Sequence, residues 1–118
     1  IVHTLDGYDE ISLTTTCKVT NSLGETVYEP EELGFKRIEQ TELWGGETVG
    51  DAAQIFMNIM NGNATDAQHN AVVINAAFAI QTLCPEKSIE ECKAEALESL
   101  KSGNAKIAFE KFIEIYTP

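Results

Sequence analysis

Three carboxylates fall within five residues in Asp6-Gly7-Tyr8-Asp9-Glu10, and this segment has the strongest claim to chemistry in the chain. Like charges held this close repel one another unless a cation lies among them. Mg²⁺ takes hard oxygen ligands, keeps several of its waters and is commonly held by one or two carboxylates together with substrate phosphates. Adjacent Asp9 and Glu10 could supply those ligands. A second reading stays open on local pattern alone: Asp-Gly is a common turn signal, so Asp6-Gly7 also fits a tight turn whose remaining acids are merely solvated.

The elements around the loop must position it. Ile1-Val2-His3 reads as a strand running into the acids, and Ile11 and Leu13 alternate with Ser12 and Thr14 beyond them. Loops at strand ends are where ligands bind in α/β sheets. Cys17-Lys18-Val19-Thr20 and Glu25-Thr26-Val27-Tyr28 flank the turn-forming Asn21-Ser22-Leu23-Gly24 and predict an antiparallel hairpin. A Gly- and Pro-bearing connector follows over 29–50, with one helical turn at Glu31-Glu32-Leu33 closed by Gly34.

From Thr48 the hydrophobic period becomes helical. Ala52, Ile55, Phe56, Ile59 and Met60 share one face, and Gly62 stops the run. Thr65-Asp66-Ala67-Gln68 is a capping box opening a helix whose Ala71, Val72, Ala76, Ala79, Ile80 and Leu83 predict burial of most of its circumference. Ser88-Ile89-Glu90-Glu91 is another capping box, ahead of Cys92, Ala96, Leu97 and Leu100. Asn104 is placed to cap a last helix with Ile107, Ala108, Phe112, Ile113 and Tyr116 on its buried side. Strands followed by helices fit an α+β domain, and a leading strand without an evident partner also fits the edge of a larger α/β sheet.

Composition narrows the function classes. The chain has 118 residues, enough for one domain, and a formal charge of −11 that argues against nucleic acid or an anionic membrane as partner. Its longest apolar stretch, Ala71 to Ile80, is interrupted by Asn75 and falls short of the ~20 residues a membrane span needs. Cys17, Cys84 and Cys92 are odd in number, follow no secretory leader and lie among apolar neighbours; they read as core thiols in a reducing, cytoplasmic setting.

Other candidates read as structural. His3 at a strand end is a packing or hydrogen-bonding residue, and His69 lacks a Glu or His at metal-binding spacing. Gly45-Gly46 lacks the context of a phosphate loop and reads as a flexible turn. Trp44, Met57 and Met60 read as core fillers, with a dimer contact as the alternative.

The acidic loop and its flanks carry a family resemblance. His3, then Asp6-Gly7-Tyr8-Asp9-Glu10-Ile11-Ser12, then Thr16-Cys17-Lys18-Val19, resembles the H-x-x-DG-x-DE-[IL]-S…T-x-[KR]-V segment of the anthranilate phosphoribosyltransferases. Glu29-Pro30-Glu31-Glu32-Leu33-Gly34 looks like their P-E-[DE]-[LF]-G segment. Trp44-Gly45-Gly46 with Asp51-Ala52-Ala53, and Asp66-Ala67 with Ala71-Val72-Val73-Ile74-Asn75-Ala76-Ala77, look like two of their helix starts. The sequence departs from the pattern at Thr4, where the family usually has glycine, and at Thr14-Thr15, where it has Thr-Gly.

The resemblance implies that residues 1–118 are the C-terminal part of a larger α/β domain of nucleoside-phosphorylase and phosphoribosyltransferase type, a few strands with a hairpin and about four helices. It implies a transferase joining anthranilate to phosphoribosyl pyrophosphate in tryptophan biosynthesis, with Asp9 and Glu10 as Mg²⁺ ligands. The family's pyrophosphate-cradling loop and its substrate-contacting basic segments have no counterpart here. No catalytic or substrate-binding residue is therefore assigned, and the 118 residues alone are expected to be inactive. A homodimer through an upstream helical domain is implied as well. The alternatives are a noncatalytic binding paralogue of the same fold and a relative of the pyrimidine nucleoside phosphorylases.

Overall fold

In the computed structural model, which describes residues 1–22 and 24–116, the expected order of strands and then helices is present. Strands β1 (Val2–Thr4), β2 (Cys17–Asn21) and β3 (Gly24–Tyr28) form an antiparallel sheet in the order β1-β2-β3. The hairpin pairs Cys17 with Tyr28 and Asn21 with Gly24, as the turn signal predicts; Leu23 of that turn lies outside the described residues. The leading strand does have a partner: His3 lies opposite Lys18 and Val2 opposite Val19. Sequence pattern could not find that pairing, because three residues are too few to show a period.

Among the described residues, four helices follow a short 3₁₀ turn at Gln40–Leu43: α1 (Val49–Met60), α2 (Asp66–Leu83), α3 (Ile89–Lys101) and α4 (Asn104–Tyr116). The first three start where side-chain caps dictate. Thr48, Thr65 and Ser88 each accept from the N–H three residues on, and Asp51, Gln68 and Glu91 reach back to the cap's own N–H. Asn104 is not a cap. Ile107 N–H bonds the Gly103 carbonyl, which puts Gly103 at the cap position and Asn104 in the first turn.

The core lies between the sheet and α2. Ile11, Leu13, Cys17, Val19, Leu33, Ile74 and Phe78 form one buried cluster, with Tyr28 edge-on to Phe78 at 5.6 Å between ring centroids. Cys17 and Cys92 are buried as expected, whereas Cys84 is half-buried.

Burial is otherwise narrower than the periodicity implies. On α2, Ala79 and Leu83 are exposed. No residue of α1 or α4 is fully buried. Ile107, Phe112, Ile113 and Tyr116 are exposed, and Phe56 of α1 meets Phe109 of α4 at 4.7 Å. Trp44 is 62% exposed and is not a core filler. Periodicity shows that a face is apolar and says nothing about whether the same 118 residues supply what covers it. Gly46 is required as glycine for a steric reason: its φ is +89°, and a Cβ there would come within 2.2 Å of the Asp51 Cβ at the start of α1.

Candidate functional site

The acidic loop turns sharply after β1. Gly7 N–H donates to the Thr4 carbonyl at 2.9 Å, and Thr4 N–H donates to the Tyr8 carbonyl at 2.8 Å. Gly7, with φ +105°, supplies the conformation this reversal requires. The turn reading of Asp6-Gly7 is thus realised in the backbone.

Asp6 is turned inward to its own chain. Its Oδ2 accepts from Thr14 Oγ1 at 2.6 Å and from Gln40 Nε2 at 2.9 Å, which ties the loop to the residues after it and to the 3₁₀ turn. The Thr14 hydroxyl, more than the Gln40 amide, holds the Asp6 carboxyl below the usual carboxylate range. Asp6 is therefore not the third member of an acid cluster.

Asp9 and Glu10 remain at the surface. The Asp9 side chain is 93% exposed, with one oxygen 3.8 Å from His3 Nδ1. Glu10 is exposed and forms part of the rim of a shallow, largely apolar cleft of about 460 Å³ between the loop and α2, with Tyr8, Ser12, Leu43, Val72 and Ala76 among the other walls. Among the described residues no group of three or more His, Cys, Asp and Glu is placed to hold a metal ion. A pair of surface carboxylates fits a cation that completes its shell with water and phosphate oxygens, which is the habit of Mg²⁺.

The backbone beneath the pair is gripped by two side chains. Thr4 Oγ1 donates to the Glu10 carbonyl at 2.6 Å and accepts from Ser12 N–H at 3.4 Å. From α2, Asn75 Oδ1 accepts from Ile11 N–H and Asn75 Nδ2 donates to the Ile11 carbonyl, both at 2.9 Å. Each peptide unit flanking Ile11 is thus bonded once to Thr4 and once to Asn75. Leu13 then sits at φ +65°, a conformation rare for a branched side chain, with its side chain buried and its carbonyl accepting from Ile38 N–H at 3.1 Å.

Sequence reading missed Thr4 and Asn75 as site residues. Thr4 stood out only as a departure from a motif, and nothing in its type reveals that it is completely buried. Asn75 did leave a signal: it is the polar residue interrupting the longest apolar stretch, and a polar group at such a place must find partners.

Comparison with known proteins places this geometry. An anthranilate phosphoribosyltransferase of Bacteroides thetaiotaomicron is 61% identical over 115 residues, covering 98% of this chain and 35% of that protein. One from Bacteroides fragilis is 56% identical with the same coverage. The crystal structure of anthranilate phosphoribosyltransferase from Thermus thermophilus superposes with a TM-score of 0.82 at 29% identity, over 96% of this chain and 34% of that one. The chain spans about a third of the length of these relatives. The profile of the glycosyl transferase family, a/b domain, matches residues 1–106, and the chain belongs to that family.

Proposed function

We propose that this chain is the C-terminal portion of an anthranilate phosphoribosyltransferase. In the complete protein, Asp9 and Glu10 would hold Mg²⁺ against the pyrophosphate of phosphoribosyl pyrophosphate while anthranilate attacks the ribose. The observation that carries the reading is the division of labour in the loop: Asp6 is engaged by Thr14 and Gln40, while Asp9 and Glu10 stay exposed on a backbone fixed from both sides. The names of the relatives supply the substrates.

Attack at the anomeric carbon passes through an oxocarbenium-like state by analogy with glycoside chemistry, and its barrier depends on stabilising the leaving group. Mg²⁺ bound here would neutralise the charge that develops on departing pyrophosphate. The chain's own residues contribute position and charge. Thr4 and Asn75 hold the loop backbone, Asp6 closes the loop, and Asp9 and Glu10 supply the oxygen ligands. Two metal ligands on a positioned loop do not also hold a sugar and orient an aromatic acid, so the 118 residues alone are expected to be inactive. The three free thiols support a reducing compartment, in keeping with the cytoplasm. The proposal includes a homodimer formed by the helical part of the complete protein, which light scattering tests.

The deciding experiment is phosphoribosyl transfer to anthranilate by the complete protein carrying Asp9→Asn or Glu10→Gln. Losing a ligand should raise the Mg²⁺ concentration at half-maximal rate by at least about tenfold, since removing even a partner behind a ligand costs ~10–100-fold. An unchanged Mg²⁺ requirement in both variants would refute the metal assignment. Turnover of a pyrimidine nucleoside, with none of anthranilate, would refute the substrate assignment.

A further inference from the structure

We propose that Thr4 is the positioning residue for the acid pair, its hydroxyl setting the direction in which Asp9 and Glu10 present their carboxylates. The inference rests on the reading of that pair as cation ligands. Thr4 has no exposed surface, so water cannot replace its hydroxyl without a local opening. That hydroxyl bonds both peptide units around Ile11: as donor to the Glu10 carbonyl at 2.6 Å and as acceptor from Ser12 N–H at 3.4 Å. The Glu10 carbonyl belongs to one of the two proposed ligands, and the backbone groups of the same threonine bond Gly7 and Tyr8, just before the other. One residue thereby fixes the loop at both ends of Asp9-Glu10. Asn75 holds Ile11 from the opposite side, so a missing Thr4 hydroxyl leaves that bridge intact and lets the carboxylate side of the loop pivot about it.

The structural consequence is specific to the hydroxyl, which gives the test. In the complete protein, Thr4→Val keeps the shape and removes the hydrogen bonds, Thr4→Ala removes them without adding bulk, and Thr4→Ser keeps the hydroxyl. Thr4→Val and Thr4→Ala should raise the Mg²⁺ concentration at half-maximal rate by about tenfold, as loss of a partner behind a metal ligand does. kcat at saturating Mg²⁺ should stay within about twofold, and Thr4→Ser should restore the wild-type Mg²⁺ requirement. Amide hydrogen exchange over residues 8–12 should accelerate in the two variants without the hydroxyl and not in Thr4→Ser. The proposal is overturned if hydroxyl-free variants keep the wild-type Mg²⁺ requirement, or if Thr4→Ser is as impaired as Thr4→Val. If the wild-type protein transfers no phosphoribosyl group to anthranilate, the functional reading fails. Exchange over 8–12 together with Mg²⁺ titration by calorimetry then decides the role of Thr4 by the same comparison. Should Thr4→Val not fold, Thr4→Ala against Thr4→Ser decides it.

Discussion

Replacing Asn75 tests whether a helix sets the position of the acidic loop. Its amide accepts from Ile11 N–H at 2.9 Å and donates to the carbonyls of Ile11 at 2.9 Å and Ala71 at 2.8 Å. Ile11 is 1% exposed, so in Asn75→Ala its N–H and C=O both lose their partner in a place water reaches poorly. At about 1–3 kcal/mol for each of the two orphaned groups, the local cost is roughly 2–6 kcal/mol, a large part of the 5–15 kcal/mol that holds a typical domain together. Asn75→Asp keeps the acceptor for Ile11 N–H but turns a carboxylate oxygen toward the two carbonyls. At pH 7 it should therefore be the worse variant. A carboxyl facing carbonyl oxygens prefers its proton, so its folded pKa is raised above the unfolded value of about 3.9. The deficit relative to wild type is then smallest below that value and grows as pH rises through the folded pKa. Because global unfolding of a longer protein need not be two-state, amide hydrogen exchange over 8–13 in the complete protein is the assay, run on both variants at pH 4 and pH 7. Exchange in Asn75→Ala within about twofold of wild type would refute the reasoning, since the roughly 2–6 kcal/mol above corresponds to about thirtyfold or more. An Asn75→Asp variant no more open than Asn75→Ala at pH 7 would refute the carboxylate argument.

Two smaller perturbations check other parts of the frame. Gly46→Ala should lower the melting temperature of the complete protein, because its Cβ would lie 2.2 Å from the Asp51 Cβ at a backbone φ of +89°; an unchanged melting temperature would show that the start of α1 yields easily. Asp6→Asn should be less stable than wild type at pH 6. The lowered folded pKa of Asp6 makes its contribution present above the unfolded value of about 3.9 and lost as pH falls through the folded one, so the gap should close on acidification; a gap in urea denaturation that widens toward low pH contradicts this.

Local chemistry was the legible part of this sequence. The caps at Thr65 and Ser88 and the hairpin around Asn21 and Gly24 are short-range devices whose partners lie within a few residues, so residue type and spacing reveal them; the cap at Thr48 is of the same kind and was passed over. The acidic loop was legible as a loop and as a cluster of acids. Which acid does what was not, because Asp6 is claimed by Gln40, 34 positions away. The grip of Asn75 on Ile11 spans 64 positions, and no periodicity encodes a contact of that range. Leu13 read as one tooth of an alternating strand, yet its carbonyl bonds Ile38 and its φ is positive; burial of its side chain decides its conformation against the local preference. The apolar faces of α1 and α4 were read correctly as faces, and that of α4 wrongly as buried within these residues, since amphipathicity records a need for cover and not its source.

The bridge between Ile11 and Asn75 also fixes an order of events in time. Ile11 leaves the ribosome 64 residues ahead of the amide that holds it, and at ~5–20 residues per second this leaves the loop without its anchor for roughly 3–13 s. β1 and the hairpin can pair during that interval, and Thr4 can begin to gather the turn, but the peptide groups of Ile11 wait for α2 to emerge and dock. The acidic loop is thus translated near the start of this segment and matures only after its middle, so a chain stalled before Asn75 would carry Asp9 and Glu10 on a loop without its anchor.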